Sequence, residues 1–282
     1  MIVVTGATGN IGRPLVAALA EAGEDVVAVS RRPQASGLAD GVRRAQADLA
    51  DFASMAPVLE GADAFFILLA GELNGPGESA NVLLDAAVAA GVGRVVLVSS
   101  QLAGTRPAGN ASHSRLREFE AAVRGSGLDH TILRPGGFAS NAFAWAESVR
   151  SDRTVLAPFG DVALPVVDPA DIAAVAAVAL REEGHFGQTY ELTGPAAITP
   201  REQAAALAGV LGEEVAFIEL TREAAAAHLS QFMPQDVVHG TLDVLGLPLP
   251  AEQRVGPDVE KVLGRPAAPF AAWARRNLPA FT

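Results

Sequence analysis

Twelve residues constrain this chain more than any other segment. Met1 to Gly12 read M-I-V-V-T-G-A-T-G-N-I-G, an apolar run that empties into a turn with Gly6, Gly9 and Gly12 spaced G-x-x-G-x-x-G. The run Ile2 to Val4 has the apolar, β-branched character of a strand buried on both faces. Ile11, Leu15, Val16 and Leu19 follow at helical spacing, and a second apolar run, Val26 to Val29, comes at the distance of a β-α-β unit. In that setting the glycines read as a dinucleotide-binding fingerprint. Gly6 allows the tight turn, Gly9 leaves room for a pyrophosphate, and Gly12 lets helix and strand approach. Thr5, Thr8, Asn10 and Ile11 belong to the same candidate cofactor loop. Backbone N–H groups at the start of the helix would face the anion, assisted by the helix dipole. The competing reading is an ordinary strand-turn-helix with incidental glycines.

The rest of the chain sets limits around that motif. Half of the 282 residues are hydrophobic, enough for a sizeable core. There is no cysteine, which removes disulfides, thiolate metal sites and a cysteine nucleophile. The five histidines form no H-x-x-x-H or H-E-x-x-H pattern, so no metal site is expected, and no G-x-S-x-G elbow occurs. A net charge of −11 argues against a nucleic-acid partner. No apolar run reaches the roughly 18 residues of a bilayer span, and a cleavable leader would destroy the nucleotide loop. The expectation is a cytoplasmic protein acting on a small molecule, with homo-oligomerisation not legible.

Short apolar runs alternate with helical patterns through the first half. Strands are expected at Ile2–Thr5, Val26–Ser30, Val42–Ala47, Ala64–Leu69, Val95–Ser100 and Thr131–Arg134, with helices starting near Ile11, Phe52, Glu78, Ser112 and Asn141. That alternation implies an α/β fold of Rossmann type, a doubly wound parallel sheet. Later, Leu164–Val167 and Thr189–Leu192 read as strands, Pro169–Arg181 and Pro200–Leu211 as helices, and prolines punctuate the tail. The expected division is a dinucleotide-binding core over residues 1–150 and a smaller, contiguous C-terminal α/β substrate lobe over 151–282.

The residues after the second strand report on the adenosine ribose. An acid there would bind the 2′-hydroxyl of NAD. Here the strand ends Val29-Ser30-Arg31-Arg32-Pro33, with no acid. Two guanidinium groups suit a 2′-phosphate, so NADP(H) is the expected cofactor; an ordinary solvated arginine pair is the alternative. Asp48 either accepts from the adenine amino group or caps the helix that follows it. Leu69, Ala70 and Gly71 end the fourth expected strand, where small residues let backbone approach the cofactor.

Together with the fingerprint and Arg31-Arg32, the segments Val98-Ser99-Ser100, Ser126-Gly127-Leu128, Thr131-Ile132-Leu133-Arg134-Pro135-Gly136, Asp168-Pro169-Ala170-Asp171-Ile172-Ala173 and Thr189-Tyr190-Glu191-Leu192-Thr193-Gly194 resemble the NmrA-like family, an atypical branch of the short-chain dehydrogenase/reductase superfamily. The resemblance covers nearly the whole chain and implies the fold and the cofactor. It leaves the reaction open, because members include quinone, azo-dye-like and phenolic reductases, isomerases and non-catalytic regulators. The superfamily's usual pair is Tyr-x-x-x-Lys on the helix after the fifth strand, where lysine assists a proton-donating tyrosine. This chain has one tyrosine, Tyr190, and one lysine, Lys261, and neither lies on that helix. The corresponding slots fall near Ser112 and Leu116.

What that helix carries is Ser112-His113-Ser114-Arg115-Leu116-Arg117. His113 is the candidate proton donor, because imidazole titrates near neutrality, and Arg117 lies one turn on. Ser99 and Ser100 end a strand at the expected nicotinamide position, Ser99 as a cofactor contact and Ser100 as a substrate or catalytic hydroxyl. By the family resemblance, Pro135 and Gly136 border the nicotinamide. Phe138, Asn141, Phe143, Trp145 and Phe159 are candidate substrate-lining residues, against the alternative that such aromatics are helix core; His228, Phe232 and Met233 are later candidates. The first functional reading is an NADPH-dependent reductase of an apolar conjugated acceptor such as a quinone, an enone or a polyketide-like carbonyl. The alternatives are redox-neutral chemistry around a retained dinucleotide (isomerase, dehydratase or cyclase) and a non-catalytic NADP(H) sensor.

Overall fold

A computed structural model describes residues 1–32, 37–38, 41–69, 77–106, 111–231, 233 and 235–282, with only the backbone of Ala111, Ser112, His113 and Asp236. Its strands are β1 (Ile2–Val4), β2 (Val26–Ser30), β3 (Arg43–Gln46), β4 (Ala64–Leu68), β5 (Arg94–Val98), β6 (Asp129–Pro135), β7 (Thr154–Pro158), β8 (Gln188–Leu192) and β9 (Ala216–Leu220). Its helices are α1 (Gly12–Glu21), α2 (Ala56–Leu59), α3 (Ala80–Ala89), α4 (Leu102–Thr105), α5 (Ala111–Gly125), α6 (Ala146–Asp152), α7 (Pro169–Arg181), α8 (Pro200–Leu211), α9 (Arg222–Leu229), α10 (Gln235–Gly246), α11 (Asp258–Leu263) and α12 (Phe270–Arg276). Short 3-10 segments at Phe52–Met55 and Ala139–Trp145 lead into α2 and α6.

The chain divides into two units that interleave. The first comprises Met1–Pro135, Pro169–Leu192 and Asp258–Arg265; the second comprises Gly136–Asp168, Thr193–Pro257 and Pro266–Thr282. The expected boundary at residue 150 falls inside the second unit. α7 and β8 return to the first unit because β8 completes the sheet beside β6.

In the first unit seven strands form one parallel sheet in the order β3-β2-β1-β4-β5-β6-β8. Every residue of β1 is buried, as a parallel strand covered on both faces requires. Val3, Phe65, Ile67, Val95 and Leu97 point to one face and join Leu83, Leu84, Phe119 and Val123 of α3 and α5 in a single core. The chain order reverses between β1 and β4. The glycine turn therefore leaves β1 at the topological switch point, where doubly wound sheets take up ligands.

In the second unit β7 and β9 pair in parallel, and Leu164–Val167, expected as a strand, makes only isolated bridges to Phe138 and Ile198. Phe143, Phe270, Trp273 and Phe281 form an aromatic cluster, with Phe143 5.0 Å from Trp273 edge-on and 6.1 Å from Phe281 stacked. α8 starts with a full capping box, in which Thr199 and Glu202 satisfy each other's backbone N–H. Arg276 pairs with the buried Asp168.

Candidate functional site

The turn after β1 is built from local necessity. The Thr5 hydroxyl donates to Phe66 O at 2.9 Å and accepts from Leu68 N at 3.0 Å, which ties the end of β1 to β4. Gly6 follows at φ +63°, and a Cβ there would stand 2.8 Å from Leu68 Cδ2. The Gly6 carbonyl accepts from Gly9 N at 2.9 Å. A Cβ on Gly12 would lie 2.1 Å from that same carbonyl. The third glycine is thus required by the turn's own backbone, closer to home than the expected helix-strand packing. A Cβ on Gly9 would meet only Gly6 O, at 3.3 Å, so the outer side of the turn is open. α1 starts with no side-chain cap and no acid in its first turn. Open space and N–H donors without a protein anion fit a pyrophosphate. Thr8 is half-buried, Asn10 exposed and Ile11 buried in the core.

Arg31 and Arg32 stand exposed directly beyond β2, and Gln46 donates its side-chain amide to Arg31 O at 3.3 Å. Asp48 Oδ1 accepts from Ala50 N at 3.0 Å, and Ser54 bridges Asp48 N, Asp48 O and Asp51 O. One carboxylate oxygen therefore shapes the turn ahead of the 3-10 segment. Leu69 is buried, whereas Ala70 and Gly71 lie outside the described residues.

Ser99 and Ser100 have different fates, as neighbours at a strand end point to opposite faces. Ser99 Oγ donates to Glu120 Oε1 at 2.7 Å in the interior. Its hydroxyl is turned away from the role of cofactor contact expected for it; only its backbone remains for that. Ser100 is half-buried, and its Oγ accepts from Leu102 N at 3.2 Å in the turn ahead of α4. Gln101 N donates to Pro135 O at 2.9 Å, which holds the ends of β5 and β6 together.

Glu120 is the functional-site residue that sequence reasoning missed. It is 1% exposed and carries three partners: Ser99, Arg134 through a fork of 2.8 and 2.6 Å, and Arg124 at 3.1 Å. Burial opposes its ionisation, yet the hydrogen bonds from Arg134 and Ser99 and the charges of Arg134 and Arg124 hold its pKa below the usual glutamate value. The signal was present: Glu120 follows Leu116, Phe119 and precedes Val123 on the buried stripe of α5, and a carboxylate there demands partners.

Leu116, at the usual lysine slot, is packed in the core. Arg117 turns inward, donating through Nε to Ala103 O at 3.0 Å and through a second nitrogen to Arg106 O. These two bonds tie α5 to α4 and the residue that follows it. His113 lies in the first turn of α5, but its side chain is outside the described residues. The sole tyrosine and lysine do meet elsewhere: Lys261 Nζ lies 5.8 Å from the Tyr190 ring, beside α11 and β8, and the Tyr190 hydroxyl pairs with His185 Nδ1 at 2.8 Å. Burial and Asp258 raise the Tyr190 pKa, the opposite of activation.

Pro135 ends β6 in the first unit. In the second unit Gly136 and Phe138 are half-buried, Asn141 is exposed, and Phe143 is half-buried beside Trp273 and Phe281. Its ring packs against those two, edge-on to Trp273 and stacked on Phe281. Trp145 packs against the same cluster. Phe159 adopts φ +54° and packs against the cluster of Ala225, Val238 and Leu242. His228 belongs to α9, and Phe232 lies outside the described residues. Among the described residues no group of carboxylates and imidazoles is placed to hold a metal, and no helix is long and apolar enough to cross a membrane.

The sequence pattern of an NAD(P)H-binding family matches residues 6–183. The chain belongs to that family. Over its full length it is 39% identical to a (4-alkanoyl-5-oxo-2,5-dihydrofuran-3-yl)methyl phosphate reductase of Streptomyces griseus, covering 99% of that protein. It is 33% identical to an NAD(P)H azoreductase of Xenophilus azovorans, again over the whole chain and 99% of the relative. The structure of an NADPH-dependent quinone oxidoreductase from Escherichia coli complexed with NADPH superposes with a TM-score of 0.81 at 28% identity, covering 99% of this chain and all of that one. This is the atypical short-chain dehydrogenase/reductase architecture expected from the sequence, and the chain is an NAD(P)H-dependent oxidoreductase.

Proposed function

We propose that the protein is an NADPH-dependent reductase that delivers hydride to an apolar, conjugated acceptor: an enone, a quinone or a polyketide-like carbonyl. The observation that carries this reading is Leu116, a core residue near the expected slot of the superfamily's lysine. Without that cation and its tyrosine, a simple ketone lacks the proton donor its reduction needs. A conjugated acceptor delocalises the incoming electron pair into an enolate or phenolate, which demands less of a proton donor. The relatives fit this chemistry. The ring named in the Streptomyces griseus enzyme carries a double bond conjugated with its carbonyls, and the others act on azo compounds or quinones by name.

The nicotinamide supplies the hydride when bound. The chain's own residues supply the rest. Gly6, Gly9 and Gly12 with the start of α1 hold the pyrophosphate, Arg31 and Arg32 take the 2′-phosphate, and Asp48 borders the adenine. The backbone of Ser99 and Pro135 borders the nicotinamide. Ser100 presents its remaining hydroxyl donor to the acceptor oxygen. His113 delivers the proton from the first turn of α5. The acceptor is a small molecule. Balance requires, per acceptor reduced, one hydride (two electrons and one proton) from the bound cofactor and a second proton drawn from solvent.

The test is NADPH oxidation at 340 nm with a butenolide or cyclic enone, a naphthoquinone and a simple ketone. Turnover of the first two and not of the ketone supports the reading. Binding of NADPH without oxidation by any acceptor turns it over in favour of a sensor. Substrate conversion without loss of absorbance favours redox-neutral chemistry.

A further inference from the structure

Arg13 stands where helix energetics disfavour it. It is the second residue of α1, and a cation in a first helical turn opposes the macrodipole, with no acid in that turn to compensate. It is exposed, so packing does not explain its presence. Yet its side chain is held. Nε donates to Thr8 O, inside the glycine turn, at 2.7 Å. The far end of the guanidinium lies against Gly37, beyond β2: a Cβ on Gly37 would come 2.8 Å from Arg13 NH1, and Gly37 has φ +90°. A glycine at that position is what allows the segment after β2 and the guanidinium to approach.

Arg13 thus bridges the two structural elements that flank an adenosine ribose in a doubly wound sheet, the glycine turn and the end of β2. Arg31 and Arg32 rise from the second of these. Among the described residues none of the three arginines pairs with a carboxylate, in a chain of net charge −11. With Nε committed to Thr8 O, the remaining N–H groups of Arg13 form a fixed edge of donors. Such an edge suits a phosphate better than the mobile ammonium of lysine would.

We infer that Arg13 is a third member of the 2′-phosphate clamp and a determinant of NADPH over NADH. The inference rests on the NADPH reading given above, and not on the identity of the acceptor. The glycine turn itself orients this guanidinium, so phosphate recognition starts from α1 as well as from the end of β2. Arg13 is a binding residue for the cofactor and takes no part in hydride transfer.

The test is calorimetric titration of the purified full chain with two nicotinamide-free probes, 2′,5′-ADP and 5′-AMP, which differ only in the 2′-phosphate. The variants are Arg13→Gln, which keeps a side-chain donor for Thr8 O without the charge, Arg13→Lys and, for comparison, Arg31→Ala. Arg13→Gln is expected to weaken 2′,5′-ADP roughly tenfold or more while 5′-AMP changes by less than about twofold. Arg13→Lys falls between the two proteins. A loss of the same factor for both probes makes Arg13 a turn or adenine residue and overturns the inference. So does an unchanged 2′,5′-ADP affinity in folded Arg13→Gln. If the unsubstituted protein binds both probes equally, the NADPH preference fails and the inference falls with it, while a response of Arg31→Ala alone refutes Arg13 and leaves that preference standing.

Discussion

Ser99 gives its hydroxyl hydrogen to Glu120 across 2.7 Å in the interior of the sheet's ligand end, and Arg134 closes on the same carboxylate with two further bonds. Ser99 directly follows β5, Glu120 belongs to α5 and Arg134 to β6. They fix the relative height of the strand ends that carry Ser100 and Pro135, so a group with no access to a ligand sets the floor of the candidate site.

Replacing Glu120 tests that arrangement. Glu120→Gln takes from Arg134 its hydrogen-bonded counter-charge, leaving only the charge of Glu191, and is expected to cost roughly 2–4 kcal/mol at neutral pH, read by urea unfolding. The sign of the pH dependence follows from the lowered pKa of Glu120. Its contribution is complete above the unfolded glutamate value of 4.5 and disappears as pH falls through the lower, folded value. The stability gap between the two proteins should therefore close in acid; a gap constant from pH 7 into that range refutes the assignment.

The glycines of the turn should separate into two kinds. Gly12→Ala drives a Cβ to 2.1 Å from Gly6 O, and is expected to destabilise the fold by about 2–3 kcal/mol. Gly9→Ala meets that carbonyl at 3.3 Å only, and should cost under about 1 kcal/mol while lowering NADPH affinity at least tenfold. Parallel thermal melts and titrations decide; equal stability losses would erase the distinction.

Arg31→Ala should raise the KM for NADPH about tenfold and leave that for NADH within about twofold, one charge-assisted bond's worth of discrimination. Steady-state kinetics with both cofactors measure it. Parallel increases would remove the 2′-phosphate from this position.

His113→Gln should lower kcat with an enone acceptor by roughly a hundredfold, within the span of general acid catalysis, and abolish the descending limb of the pH–rate profile at neutral pH. Ser100→Ala should act chiefly on KM. An unchanged profile in His113→Gln would assign the proton to solvent.

Away from the site, Thr199→Ala removes one half of the α8 capping box. A loss of about 1 kcal/mol is expected, seen as a lower Tm with unaltered cofactor affinity.

The sheet was legible because its cause is local. Ile2–Val4, Val26–Ser30 and Ala64–Leu68 are apolar runs that only a strand covered on both faces accommodates, and α7 and α8 start and stop at the residues their caps and prolines announce. β7 and β9 were missed. β9 (Ala216–Leu220) is mostly exposed and β7 buries only Val155 and Ala157; their mixed sequences become a ladder only through pairing with each other across a long stretch of chain. Leu164–Val167 was misread in the opposite sense, since an apolar run without an adjacent partner forms bridges and no strand.

The sequence by itself determined the glycine turn, the pair Arg31-Arg32 and the loss of the Tyr-x-x-x-Lys pair, because each depends on residue type within a few positions. Tertiary structure alone decided which way the neighbouring hydroxyls of Ser99 and Ser100 face, that Phe143 packs against Trp273 and Phe281, that Arg117 ties α5 to α4, and that Arg13 reaches Gly37. The physical reason is the range of the interactions. Backbone sterics and periodicity act between sequence neighbours, whereas the partners of a buried carboxylate or a guanidinium are set by which strands and helices the chain brings side by side.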